Sequence, residues 1–164
     1  MNDLLVSKNR TLSRQNKREE AAQYVSIIID GQIFGVPVLQ VHDVLGQQRI
    51  TRIPLAPPEV AGSLNLRGRI VTAIDVRLRL GLPSRAEGEG SMSVVVEHHN
   101  EFYSLMVDSV GEVLMLRESE FERSPATLEN RWREVASGIY RLQNQLVVVL
   151  DVARLLQFGR FEAA

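Results

Sequence analysis

Asn65-Leu66-Arg67-Gly68-Arg69-Ile70-Val71-Thr72-Ala73-Ile74-Asp75-Val76-Arg77 is the stretch that decides the fold. Arg67-Gly68 is a hairpin tip, because glycine tolerates the positive φ that a tight two-residue turn requires. Ile70 to Ile74 is apolar or nearly so on both faces, so this strand is expected between two packed layers and not on a rim. Asp75 then has N-cap chemistry: its carboxylate can accept from the free backbone N–H groups of Val76-Arg77-Leu78-Arg79-Leu80. Gly81 has the character of a stop after that turn, and Pro83 follows it.

The same device occurs twice. Gly62, Leu66, Val71, Asp75, Val76 and Leu80 reappear, shifted by 76, as Gly138, Leu142, Val147, Asp151, Val152 and Leu156. An earlier segment repeats with a shift of 69, so that Phe34, Val38, Val41, Asp43, Val44 and Leu45 meet Tyr103, Val107, Val110, Glu112, Val113 and Leu114. The seven-residue difference marks an insertion in the second copy. A solenoid stacks roughly three or more units, so two related lobes packed together is the reading.

Composition agrees with a small β protein. In 164 residues, 45% are apolar and only 5% aromatic, which gives an aliphatic core. Val and Ile are prominent, and that favours strands. The formal net charge of −1 gives no overall basic excess for a nucleic-acid binder. Without cysteine there is neither a disulfide framework nor a thiolate metal site. No apolar run approaches the ~18–20 residues of a membrane span, and the N-terminus lacks a signal-peptide core. A cytoplasmic location is the expectation.

Along the chain, residues 1–22 mix basic and polar side chains and are read as a flexible tail. Tyr24 to Ile29, Asp30-Gly31, and Gln32 to Val36 form a hairpin signal, Asp-Gly supplying the two positive-φ positions. Pro37 can open a short helical turn. Asp43, between apolar Val41 and Val44, is either an outward polar residue or a charge displayed on an apolar strand edge. Ile50 to Ile53 reads as a short strand closed by Pro54, and Pro57 to Gly62 as one helical turn. Ser84 to Gly90 is polar and glycine-rich, a connection between repeats.

In the second copy, Met92 to Glu97 and Phe102 to Val107 flank a polar turn at His98-His99, and Val110 to Leu116 continues as strand. Leu128, Trp132 and Val135 have the spacing of a short amphipathic helix capped by Thr127. Gln145 to Leu150 is the last strand before Asp151. The fold class is all-β: about ten short strands in two pseudo-repeated small barrels, with short helical turns.

Catalysis finds little support. Asp75 and Asp151, one per repeat, have the plan of a carboxylate dyad, yet each sits before a helical turn where it has a capping duty worth ~1 kcal/mol. Adjacent His98 and His99 on a turn are expected to point apart, which disfavours metal. There is no Gly-x-Ser-x-Gly elbow and no phosphate loop. Arg67, Arg69, Arg77 and Arg79 form a local basic cluster. Arg77 and Arg79 read as a solvated rim, whereas Arg67 at a hairpin tip is free to engage a carboxylate through two parallel hydrogen bonds. Asp43 and Arg67 together suggest the polar edge of an apolar docking surface.

On Gln23-Tyr24-Val25, Phe34-Gly35-Val36, Val41-His42-Asp43-Val44, Ile50-Thr51-Arg52-Ile53-Pro54, Gly62-Ser63-Leu64-Asn65-Leu66-Arg67-Gly68, Ile74-Asp75-Val76-Arg77 and Leu150-Asp151-Val152, the chain resembles the family of the chemotaxis coupling protein CheW. The resemblance spans roughly Gln23 to Gln157. It implies two five-stranded SH3-like barrels packed together, a first lobe of about 23–83 and a second of about 91–158, with a short C-terminal tail at 159–164. It also implies a non-catalytic adaptor, without cofactor or metal, that couples chemoreceptors to the histidine kinase CheA. The partners implied are the CheW-like regulatory domain of the kinase and the cytoplasmic tip of a methyl-accepting chemoreceptor, with no nucleic acid and no membrane insertion. The place implied is the cytoplasm, at receptor arrays on the inner membrane. The family's receptor-binding positions fall on Val41, Asp43, Arg67 and Val113, leaving Asp75 and Asp151 as structural caps. The family often carries Glu at the position of Asp43 and Arg-Gly at Leu45-Gly46. Two other readings stand beside the adaptor: a CheW-like module of a kinase array that controls something other than swimming or binds kinase without receptor, and a nucleic-acid-binding barrel that uses the arginine cluster.

Overall fold

The computed structural model describes residues 21–86, 88–123 and 128–158. Ten strands follow one another in two sets of five. The first set is β1 (Ala21–Ile29), β2 (Gln32–Pro37), β3 (Val41–Leu45), β4 (Val60–Leu66) and β5 (Arg69–Asp75). The second is β6 (Met92–His98), β7 (Glu101–Val107), β8 (Ser109–Arg117), β9 (Ala136–Leu142) and β10 (Gln145–Leu150). The two tight turns expected at Asp30-Gly31 and Arg67-Gly68 have the required backbone, with φ of 51° and 76° in the first and 53° and 83° in the second. The cap at Asp75 is present too: its carboxylate accepts from the Leu78 N–H at 3.4 Å, and Asp151 accepts from Arg154 at 3.2 Å.

The strands form two five-stranded sheets, in the orders β8-β1-β2-β10-β9 and β3-β6-β7-β5-β4. Pairing is antiparallel except between β2 and β10 and between β5 and β7. The expected all-β body of two packed barrels is therefore present, but the division at 23–83 and 91–158 does not follow the sheets. Each sheet takes strands from both repeats, and the exchange occurs at β3 and β8.

Chain reach explains it. Strand β8 enters beside β1 with Ser109 opposite Ile28, whereas β2 ends with Pro37 opposite Tyr24, at the other end of β1. For β3 to take that place within its own repeat, the chain after Pro37 would have to advance ~13 Å along β1 and ~10 Å across it. The link is a single 3-10 turn, Val38–Gln40, which rises ~2 Å per residue. It delivers β3 to the edge of β6 instead, with Val41 opposite Val96.

Three apolar clusters hold this arrangement. The largest lies between the sheets and takes Ile27, Ile29, Phe34 and Val36 from one and Ile74, Val94, Val96 and Leu105 from the other. Each such side chain contributes roughly 1.5–3 kcal/mol relative to an exposed position, so this shared core makes the two sheets one body. Smaller clusters fill each barrel: Tyr24, Leu116, Tyr140, Val147 and Val149 in one, Leu64, Val71 and Ala73 in the other. Strand β5 is the expected two-layer strand over most of its length. Val71 and Ala73 point into the small core and Ile74 into the shared one, but Ile70 is exposed.

Several local expectations need correction. Ile50–Ile53 is not a strand: only Thr51 pairs, exchanging two 2.8 Å hydrogen bonds with Ser63. Pro57 to Gly62 is not a helical turn, because after a single Val60 N–H bond to the Pro57 carbonyl the chain enters β4. The helical turn near Trp132 spans only Asn130–Arg133, behind Glu129, and the expected cap, Thr127, lies outside the described residues. Ala21 and Ala22 already belong to β1, paired with Arg117 and Leu116. The rest of the expected N-terminal tail, and residues 159–164, lie outside the described residues.

Candidate functional site

An open five-stranded barrel has a seam between its two edge strands, here β3 and β4. The Thr51–Ser63 bridge closes one part of it. The Asp43 carboxylate crosses another, meeting Nη2 of Arg67 at 3.3 Å. Each partner is set by local structure. Asp43 sits mid-way along β3, with Oδ1 accepting from the Val44 N–H at 2.9 Å. Arg67 stands at the β4–β5 tip, which the Asn65 side chain fastens by accepting from the Gly68 N–H at 3.0 Å. The Asp43 side chain is 26% exposed and that of Arg67 81%, so the guanidinium is presented to solvent on a partly buried anchor.

Beside this pair lies an open hollow of about 370 Å³. Its floor is apolar, with Leu66, Val71 and Phe102 at the mouth of the small core. The Arg69 guanidinium stacks 4.6 Å from the Phe102 ring centroid, and the His42 ring lies 4.5 Å from the same ring. Val41, two residues before Asp43, is half-buried against the shared core.

Of the residues singled out by sequence, Val41, Asp43 and Arg67 thus belong to one barrel. Val113 does not. It lies on β8, an edge strand of the other sheet, opposite Val25 and 55% exposed. Strand β8 nevertheless touches β6, the partner of β3, so both edges flank the same junction. Met115, also exposed and on the same face of β8, escaped the sequence reading, although strand periodicity from Val113 points to it. At the second barrel's seam the counterparts of Asp43 and Arg67 are Glu112 and Gln143, which cannot form an ion pair. An ion pair at these two positions is a feature of one barrel alone; the second seam instead carries Arg141 and Glu122, paired at 3.0 Å.

The arginine cluster is not a solvated rim. Arg77 is 14% exposed and donates from Nε and Nη2 to the two oxygens of Asp108 at 2.8 and 2.6 Å. Arg79 donates to the carbonyls of Leu155, Arg154 and Gln157 at 2.7, 3.0 and 2.9 Å, capping the helical turn that follows β10. Both arginines are engaged in joining the barrels, so the four do not make a free basic face.

The aspartate dyad also dissolves into structure. Besides its cap, the Asp75 N–H donates to the Glu59 carbonyl and the Asp151 N–H to that of Val135, each at 2.8 Å. Among the described residues no hydrogen bond or ion pair joins the two aspartates. The rings of His98 and His99 do not point apart but lie 4.0 Å from each other. Burial, then the neighbouring His99, holds the His98 imidazole below its ordinary value. No cluster of three or more metal-ligating side chains occurs among the described residues.

Comparison with known proteins agrees with this architecture. The CheW-like domain family matches residues 23–159. The chemotaxis protein CheW of Helicobacter pylori is 27% identical over 145 residues, 88% of this chain and 87% of that one. That of Bacillus subtilis is 26% identical, covering 80% and 85%. Protein PilI of Pseudomonas aeruginosa is 28% identical, covering 80% and 75%. The crystal structure of the scaffolding protein TtCheW from Thermoanaerobacter tengcongensis superposes with a TM-score of 0.77 at 26% identity, over 85% of this chain and 94% of that one.

Proposed function

Because this chain belongs to the CheW-like domain family, we propose that it is an adaptor coupling chemoreceptors to a CheA-type histidine kinase. Family membership makes it a non-catalytic scaffolding protein, in line with the structural duties of Asp75 and Asp151. The partners are the CheW-like regulatory domain of the kinase and the helical cytoplasmic tip of a methyl-accepting chemoreceptor. The receptor tip lays an apolar stripe against Val41 and Val113 while the Arg67 guanidinium takes one of its carboxylates. The observation that carries this reading is the Asp43–Arg67 pair, which holds a largely exposed arginine side chain at a strand edge, beside a charge-rimmed hollow floored by Leu66, Val71 and Phe102. The protein acts in the cytoplasm, at receptor arrays. Among the described residues no helix is long and apolar enough to cross a membrane.

The likeness to Protein PilI supports a second reading, in which the kinase array served controls something other than swimming. Co-purification with candidate kinase and receptor fragments, together and apart, tests both. Capture of kinase and receptor in one complex supports coupling. Capture of kinase with no receptor fragment would replace coupling by a kinase-only module. Normal swimming in a deletion strain would favour the second reading.

A further inference from the structure

Asp108 is the single residue between β7 and β8, and its polar groups reach into both sheets. Its carboxylate accepts from Arg77 twice, from Nε of Arg85 at 3.1 Å, and from the Asp30 N–H at 2.8 Å. Its own N–H donates to the Ile28 carbonyl at 3.2 Å. Asp30 belongs to the β1–β2 turn of one sheet, while Arg77 lies in the helical turn Val76–Arg79 that follows β5 of the other. Arg85 is itself nearly buried and lies 3.9 Å from Asp75, and its Nη2 is buried without a protein hydrogen-bond partner.

The repeat supplies an internal comparison. The counterparts of Asp108, Arg77 and Asp30 in the other copy are Leu39, Ala153 and His99. Leucine and alanine cannot form an ion pair, and Leu39 is fully exposed. The start of β8 is therefore fastened ionically to the neighbouring barrel, and the start of β3 is not. Short, two-pronged, charge-assisted hydrogen bonds fix orientation as well as distance, and partial burial shields them from salt.

We propose that Asp108 is a positioning residue for partner docking: clamped by Arg77 and Arg85, it sets where the β8 edge lies relative to the Asp43–Arg67 seam. Ser109 opens β8 immediately after it, and the exposed Val113 and Met115 lie on that strand. Arg77 sits at the far end of the hairpin strand that begins beside Arg67. One ionic junction thus spaces the two halves of the docking surface. This inference rests on the docking reading given above.

The chain has no cysteine, so paired nitroxide labels can be placed cleanly by Val44→Cys and Met115→Cys. Pulsed dipolar spectroscopy should give one narrow distance in the labelled parent. Asp108→Asn should move or broaden it by about 2 Å or more, a displacement typical of interface repacking. Glu122→Gln, which breaks the exposed pair with Arg141, should leave it alone. On unlabelled protein, Asp108→Asn should weaken binding of a receptor-tip fragment at least tenfold without touching Val41, Asp43, Arg67 or Val113. If Asp108→Asn does not fold, Arg85→Gln keeps the Arg77 pair and is measured in the same way. A parent-like distance in the folded variant overturns the proposal, and so does a moved distance with undiminished binding. Failure of the unsubstituted chain to bind any receptor fragment is seen without a variant and strikes the docking reading alone. The distance then still decides whether Asp108 positions β8.

Discussion

Arg67 and Asp43 form an unequal pair: the arginine side chain is 81% exposed and the aspartate side chain it meets at 3.3 Å is 26% exposed. Solvent-exposed ion pairs stabilise a fold by only ~0.2–1 kcal/mol, whereas a guanidinium desolvated against a partner's carboxylate can be a binding hot spot. Arg67→Ala should therefore weaken capture of a receptor fragment by ~1–3 kcal/mol in binding free energy and leave the melting temperature nearly unchanged. Isothermal titration of both proteins with the same fragment, beside their thermal melts, checks this. Equal affinities would remove Arg67 from the docking surface.

Gly62 and Gly138 are the same device in the two barrels. Gly62 has φ of 150°, and a Cβ on it would overlap the Thr51 carbonyl that bridges the seam. A Cβ at Gly138 would overlap the Phe121 ring and the Glu122 carbonyl, the corresponding bridge. Alanine at Gly62 faces backbone that cannot swing aside and a φ disfavoured by side chains. At Gly138 part of the obstruction is an aromatic ring that can move. Gly62→Ala should cost on the order of 3 kcal/mol, in the range of severe overpacking, and Gly138→Ala less. Urea denaturation of the two variants should preserve that order. Equal midpoints would show that backbone conformation at Gly62 adds nothing.

What was legible in the chain was local. Asp30-Gly31, Arg67-Gly68 and the caps at Asp75 and Asp151 announce themselves because the residue and the conformation it satisfies lie within a few positions. The repeat showed that there are two barrels, but not that they exchange strands, since that depends on how far Val38–Gln40 can carry the chain. Arg77 and Arg79 were misread as surface for a related reason. Their partners, Asp108 and the Leu155 carbonyl, are 31 and 76 residues away. Of the candidate site, Asp43 and Arg67 stood out by their chemistry as polar anchors, but that they pair with each other depends on the β3–β4 seam; Val113 entered through family resemblance and lies in the other sheet.

The two caps also separate structure from catalysis. Asp75→Ala and Asp151→Ala should each lower stability by about 1 kcal/mol, the usual worth of an N-cap carboxylate. Each cap also has an arginine neighbour, Arg85 at 3.9 Å from Asp75 and Arg154 at 3.7 Å from Asp151; the first pair is far less exposed, so the loss of Asp75 should be the larger of the two. Thermal melts of the single variants and of the double variant measure this, and the effects should add, because the caps share no partner. A loss in the double variant well beyond the sum would reveal a coupling between them that no hydrogen bond accounts for.

Acid should act on the barrel junction through Asp108. Its hydrogen bonds from Arg77 hold the carboxyl below its ordinary value, against the opposing pull of burial. The unfolded chain therefore takes up this proton at a higher pH than the native one. The stability that the ionised pair supplies is complete above the ordinary carboxylate range, near pH 4, and is lost as pH falls through the lower native value. Charge-assisted hydrogen bonds contribute about 1.5–3 kcal/mol, so Asp108→Asn should be less stable than the parent by about that much at pH 7. Below about pH 4 the two should converge, since asparagine has no charge to lose. Urea midpoints of both proteins at pH 7, 5, 4 and 3 would trace this. A gap that stays constant across the series would mean that the Arg77–Asp108 pair does not govern the acid limb.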